Sequence, residues 1–398
     1  MTRSVPLNQR VLGKRSRART AMPSIDMPLL TVVCMLAAFG LLMVYSASIA
    51  LADGPQYRNY GHYYFVIRHT LFLSLGAVLA GAASLVPMRV WEKLALPLFI
   101  LALVLLVLVL IPGVGREVNG ARRWIPLGIV NFQPSEFMKV AMVMFASLYV
   151  VRKKETISEF WRGFVPIILV VGAVGGLLIL EPDLGAFVVT ACIAMGVVFI
   201  GGIALRWMIG MVGLFGGVGA IMIWFAPWRR ERLFVYLDPW KPENAYGSAY
   251  QLSHSLIAFG RGEWTGVGLG SSVEKLHYLP EAHTDFIVAV IGEELGFVGV
   301  SLLIIAFAFV IWRAFEIGRQ AIAMERLFNA MFAQGIGVWF GVQTFINIGV
   351  CLGVLPTKGL TLPLVSYGGS ATIMSLIALA ILLRIDHENR NLMRGIRQ

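Results

Sequence analysis

The chain is a succession of long apolar runs separated by short charged breaks. A helix needs about 20 apolar residues to cross a bilayer. Runs of that size fall at roughly 27–50, 64–86, 91–111, 134–151, 163–181, 184–203, 206–226, 286–312, 329–350 and 362–384. The pattern predicts an all-α polytopic membrane protein of about ten transmembrane helices. It breaks once, at 227–285, the only long stretch that is neither apolar nor terminal.

Basic residues then set an orientation, because Lys and Arg accumulate in cytoplasmic loops. Arg3, Arg10, Lys14, Arg15, Arg17 and Arg19 precede the first run. Arg89 and Lys93, the trio Arg152, Lys153 and Lys154, Arg206, and the stretch from Arg313 to Arg326 fall on the same side. Arg384, Arg390, Arg394 and Arg397 follow the last run on that side too. Both termini are therefore expected in the cytoplasm. The predicted organisation is a basic tail (1–26), spans one to seven (27–226), a large extracytoplasmic loop between spans seven and eight (227–285), spans eight to ten (286–384) and a second basic tail (385–398).

Composition agrees. The 398 residues are 58% hydrophobic and 14% charged, with a mean hydropathy of +0.77, whereas a soluble domain carries about 25% charged residues. The net charge of +11 sits in tails beside spans, where it fixes topology, so no nucleic-acid partner is expected. A secretory signal has an apolar core of ~7–15 residues; the first run is longer and is read as a helix. Cys34, Cys192 and Cys351 stand singly in apolar surroundings, without disulfide or metal spacing.

Three stretches carry candidate chemistry. Gln133-Pro-Ser-Glu136-Phe-Met-Lys139 opens a helix, with Glu136 and Lys139 on one face inside a span, where ionisable residues are costly and usually functional. The stretch 351–370 is rich in Pro, Gly and hydroxyls, and predicts a broken or re-entrant segment beside a polar cavity. The loop ends Lys275-Leu-His277-Tyr-Leu-Pro280-Glu281-Ala-His283-Thr-Asp285 and runs straight into an apolar run. Its His, Glu and Asp match no standard zinc spacing, so no metal site is expected. Asp285 is open to two readings: a cap on the eighth span, or a general base whose pKa is lifted by partial burial. Facing Arg122, Arg123 and Lys139, such a base would suit a lipid-linked diphosphate.

These stretches together resemble the SEDS family (shape, elongation, division and sporulation) of bacterial cell-wall polymerases. The resemblance is carried by Leu279-Pro-Glu-Ala-His-Thr-Asp285-Phe with Gly292-Glu-Glu-Leu-Gly-Phe, by Gln133 to Lys139, and by Pro356-Thr-Lys358-Gly-Leu-Thr-Leu-Pro-Leu-Val-Ser366-Tyr-Gly-Gly-Ser370. Asp238-Pro-Trp240, Tyr250-Gln-Leu and Gly260-Arg-Gly-Glu-Trp264 are closer to the division-type than the elongation-type member. Ala371 departs from the second Ser common in relatives.

The resemblance implies a peptidoglycan glycosyltransferase at the division septum of the bacterial cytoplasmic membrane, polymerising lipid II with undecaprenyl diphosphate as leaving group. It places the essential acid on Asp285. It makes Arg123, Glu136, Lys139, Glu281, His283, Lys358 and Ser366 candidates for binding substrate. It implies a class B penicillin-binding protein and other divisome proteins as partners. No cofactor is required by the sequence, and a divalent cation (Mg or Mn) is compatible with it. The rival readings are a lipid II flippase, with polar residues through the full membrane depth, an elongation-type polymerase, and a scaffold indifferent to Asp285.

Overall fold

The computed structural model describes residues 25–54, 60–118, 120–128, 131–225, 236–241, 244, 247 and 249–396. The basic residues of 1–24 and the run Trp228-Arg-Arg-Glu-Arg232 lie outside them.

Eleven helices of ten or more residues run through the described chain: α1 (Met27–Ser48), α2 (Tyr64–Leu85), α3 (Met88–Leu110), α4 (Pro134–Arg152), α5 (Val165–Leu180), α6 (Leu184–Ile200), α7 (Leu205–Trp224), α8 (Tyr250–Gly262), α9 (Ile287–Ala323), α10 (Leu327–Cys351) and α11 (Gly369–Met393). Seven among the described residues are long and apolar enough to cross a membrane: α1 to α4, α9, α11, and α5 extended back to Phe160. Of the three remaining expected spans, α6, α7 and α10, two are weaker for identifiable reasons. α6 has only 17 residues. α10 has 25, but carries Asn329, Gln334, Gln343, Thr344 and Asn347.

The fold is not purely helical, which corrects the all-α expectation. Between α3 and α4 the chain forms β1 (Arg116–Val118), β2 (Ala121–Pro126) and β3 (Asn131–Phe132), an antiparallel sheet in the order β1-β2-β3. Val118 pairs with Ala121, and the two residues between them are Asn119 and Gly120. That dipeptide is the sequence signal for a two-residue hairpin, so the strands were legible in the sequence.

Local chemistry starts the helices where they start. Asp26 caps α1, accepting from the Leu29 amide at 3.3 Å, and Asp183 caps α6, accepting from the Ala186 amide at 3.1 Å. Pro134 opens α4, where its missing N–H costs no helical bond. α10 is the central post, buried nearly all round, with Phe332, Trp339 and Phe340 among its enclosed side chains. A helix enclosed on nearly every side, its polar residues included, belongs in such a core. α9 packs along α10, α11 along α2, and α3 along α4.

One helix is broken on purpose. α9 covers 37 residues, but Gly296 has φ 63° and ψ −162°, far from helical values. The segment after α8 threads into the break. Val267 and Gly268 donate to the carbonyls of Glu293 and Glu294, at 2.9 and 3.1 Å, while Phe297 and Val298 donate back to Glu263 and Trp264, at 2.9 and 3.1 Å. A Cβ at 296 would collide with that backbone, so only glycine fits. The first two turns of α9, which follow Asp285, are thereby framed separately from the rest.

Candidate active site

Asp285 lies just before α9, on the wall between two cavities. The first, of about 440 Å³, is lined by Arg68 of α2, Arg123 of β2, Glu136 of α4, Asp183, Glu281, Asp285 and the 359–361 and 367–371 backbone, among others. The second, of about 430 Å³, is lined by Arg123, Asp183, Gln251, Asp285, Lys358 and Gly359, among others. Arg123, Asp183, Asp285 and Gly359 thus face both.

The carboxyl of Asp285 forms no hydrogen bond or ion pair with any described residue. Burial lifts it to about 7, reinforced by the Glu281 carboxylate, opposed by the Arg123 guanidinium, and raised slightly further by Asp183. A carboxylate near 7 has the proton affinity a general base needs at neutral pH. Its backbone is held firmly: Asn347 Nδ2 donates to the Asp285 carbonyl at 3.0 Å. Thr284 bonds back to Glu281, Oγ1 to Oε2 at 2.7 Å, in a turn whose Glu281 has φ 57°.

Arg123 is fixed from below. Its Nε donates to the Glu181 carbonyl at 3.2 Å and its Nη2 to the Pro182 carbonyl, which leaves its charge directed at the cavities. Glu181 itself is fully buried, with both oxygens unpartnered. Burial and then Asp183 push it up to about 8, against Arg123, so it is largely uncharged at pH 7. Asp183 accepts from Ser135 Oγ at 3.2 Å, tying the α5–α6 turn to the start of α4.

The candidate residues divide into two groups. Arg123, Glu136, Glu281 and Asp285 come together on the first cavity, and Lys358 joins Arg123 and Asp285 on the second. Three others do not line either cavity. Lys139 is completely buried behind Glu136, its Nζ 2.7 Å from Glu136 Oε2 and 2.9 Å from Gln343 Oε1. His283 packs edge-on against Phe65, with ring centroids 4.7 Å apart, and burial holds its imidazole down at about 4 although Glu281 opposes this. Ser366 Oγ accepts from the Leu362 amide at 2.8 Å, a turn bond. All three sit one layer behind the cavity walls. Among the described residues, no group of three or more His, Cys, Asp or Glu side chains could hold a metal ion.

Sequence reasoning missed Arg68, whose Nη1 donates to the Tyr64 hydroxyl at 2.6 Å on the cavity rim. A lone charge early in an apolar run was a visible signal, since such residues seldom lie in a span without a role. It also missed Gln343 and Asn347, which are uncharged and buried in an apolar helix.

A polytopic bundle with a desolvated carboxyl and cations converging on its cavities defines a membrane protein whose polar site is suited to an anionic ligand. The chain belongs to the cell cycle protein family, whose model matches residues 27–391. It is 58% identical over 377 residues to a protein of Burkholderia thailandensis named probable peptidoglycan glycosyltransferase FtsW, covering 95% of this chain and 82% of that one. It is 52% identical to the protein of the same name from Aromatoleum aromaticum, covering 97% and 94%. Among solved structures, a chain of a peptidoglycan synthase complex described as coordinating polymerization and crosslinking superposes with a TM-score of 0.74 at 31% identity, covering 92% of this chain and 98% of that one. The rod shape determining protein RodA of Thermus thermophilus superposes with a TM-score of 0.65 at 30% identity, covering 92% and 97%.

Proposed function

We propose that this chain is a peptidoglycan glycosyltransferase that polymerises lipid II into glycan strands during septal wall synthesis, with Asp285 as its general base. The observation that carries the residue assignment is the position of Asp285: a carboxyl raised to about 7 on the wall shared by two cavities, beside Arg123. The names of the relatives support the polymerase reading and division over elongation.

In the proposed reaction, the acceptor sugar's 4-hydroxyl occupies one cavity and the donor's anomeric carbon approaches from the other. Asp285 takes the hydroxyl proton as the new C–O bond forms at the anomeric carbon. The bond to the diphosphate breaks, with its electron pair leaving on undecaprenyl diphosphate. One displacement inverts the anomeric centre and needs no second carboxylate nucleophile. Arg123 and Lys358 stabilise the charge that develops on the leaving diphosphate, and Glu136 and Glu281 offer acceptors to sugar hydroxyls. Lys139 acts one layer back by holding Glu136. No step is routed through Mg or Mn.

Placement follows from the same reading. Asp285 and its cavities face the outside of the bacterial cytoplasmic membrane, in about ten spans with both termini cytoplasmic. The tails, spans and 227–285 loop divide as the charge pattern suggests. The likeness to a synthase complex supports a class B penicillin-binding protein as the partner that crosslinks the product; other divisome proteins complete the assembly.

The test uses the purified protein with its penicillin-binding partner and lipid II. Wild type makes glycan chains, and Asp285→Asn loses about 10²–10⁴-fold in rate, the usual worth of a positioned base. Equal polymer from both removes the base assignment. No polymer from either, with lipid II crossing liposomes, favours a flippase.

A further inference from the structure

We infer that Asn347, with Gln343 one turn before it on α10, is a positioning residue for Asp285, holding the 359–361 backbone against the base so that the gap between the two cavities keeps its width. The inference rests on the assignment of Asp285 as the base.

The two amides lie on one face of α10, four residues apart, and both are buried, each 1% exposed. Asn347 Nδ2 spends both of its protons on backbone carbonyls: that of Asp285 at 3.0 Å and that of Leu360 at 2.5 Å. One side chain therefore clamps the base to the strip of chain that faces it. Gln343 Nε2 donates to the next carbonyl along, Thr361, at 2.7 Å. Gln343 Oε1 accepts from Lys139 Nζ at 2.9 Å and from Trp339 Nε1 at 2.7 Å, which extends the clamp to the Glu136–Lys139 pair.

The clamped strip brings Gly359 onto the carboxyl of Asp285. A Cβ at 359 would stand 2.5 Å from Asp285 Oδ2, so the absence of a side chain there sets the room beside the reacting oxygen. Gly359 also lines both cavities. The clamp carries a cost that packing alone does not explain: Asn347 Oδ1 is buried without a hydrogen-bond partner. A leucine would fill similar space without burying an unpaired carbonyl, and such a group is retained where its donor is needed.

Displacement of a catalytic group by about 1 Å can cost on the order of 10²-fold in turnover. Asn347→Leu removes both donations at nearly constant volume, and Gly359→Ala keeps every hydrogen bond but presses on Asp285. Both are assayed as the complex with the penicillin-binding partner, with rates per folded molecule from size-exclusion and thermal unfolding. Each variant is expected to lose about 10²-fold in kcat, with KM for lipid II changed by less than about threefold. In Asn347→Leu the acid limb of kcat moves to lower pH, because the loosened gap admits water to a carboxyl otherwise facing Glu281, Asp183 and Arg123. A purely structural role would lower folded yield and leave both kcat per folded molecule and the acid limb unmoved; that result overturns the inference. If Asn347→Leu does not fold, Gly359→Ala decides alone, and wild-type kcat there overturns it. Asp285→Asn runs in parallel: full activity from that variant defeats the base assignment itself and takes this inference with it.

Discussion

Two groups of acids in the bundle are held in different ways. In a cluster formed by α1, α9 and α11, away from Asp285, the acids are matched to bases. Asp26 takes Arg313 through Nε at 2.8 Å and Nη2 at 2.5 Å. Asp386 pairs with Arg390 at 2.6 Å. Glu388 takes Arg384 at 3.0 Å, the Met88 amide at 2.9 Å, and Arg326. Asp26 thereby joins the start of α1 to the C-terminal half of α9, with Arg390 of α11 3.9 Å away, and Glu388 joins α11 to the start of α3. Around the cavities Glu136 is paired with Lys139, but Asp285 has no described side-chain partner and Glu181 is buried without one. Matched charges register helices; Asp285, desolvated and on the wall of both cavities, is available to a substrate. Active sites are where strain of this kind concentrates.

The comparison can be broken in order of effect. Asp285→Asn should separate the two groups most sharply, with turnover reduced by about 10²–10⁴-fold and the thermal transition not lowered, because the residue leaves no partner unpaired. Loss of the fold instead would make Asp285 one more structural acid. Next is Lys139, buried against Glu136 although it lies near the site. Lys139→Met should destabilise by about 3–5 kcal/mol, the usual result of stranding one member of a buried pair. The double variant with Glu136→Gln should regain most of that stability but not activity, as Glu136 lines the cavity. Recovery of both would place the pair with the structural charges. The smallest effect is expected from Arg384→Ala, about 1–3 kcal/mol in chemical denaturation, since Glu388 keeps Arg326 and the Met88 amide.

Much of this was legible in the sequence, and the gaps have physical causes. Apolar runs marked α1 to α7 and α10 to within a few residues because membrane spans declare themselves by length, as α2 and α3 do; α9 instead continues past the expected 312 to Ala323, and α11 is Gly369–Met393 rather than 362–384. Asn119-Gly120 announced a hairpin that the hydropathy pattern overshadowed. The 351–370 stretch, expected to be irregular, is the strip that faces Asp285. The charges Arg123, Glu136, Glu281, Asp285 and Lys358 stood out because charge is scarce in this chain. Which of Glu136 and Lys139 meets the cavity could not be read from spacing, since i,i+3 neighbours share a face but not a depth. The Gly296 break depends on a segment 30 residues earlier threading into α9. Gln343 and Asn347 were hidden because an uncharged amide hardly alters an apolar run; their importance appears only when the carbonyls they hold belong to Asp285 and its facing strip.

The most direct test is the pH dependence of kcat for lipid II polymerisation by the complex. A base whose carboxyl sits at about 7 must be ionised to work, so kcat should fall about tenfold per pH unit below that value and level off above it. The limb should vanish with the activity in Asp285→Asn. A rate that is flat from pH 5.5 to 8, or one carried undiminished by Asp285→Asn, would contradict the central claim that this carboxyl is the base.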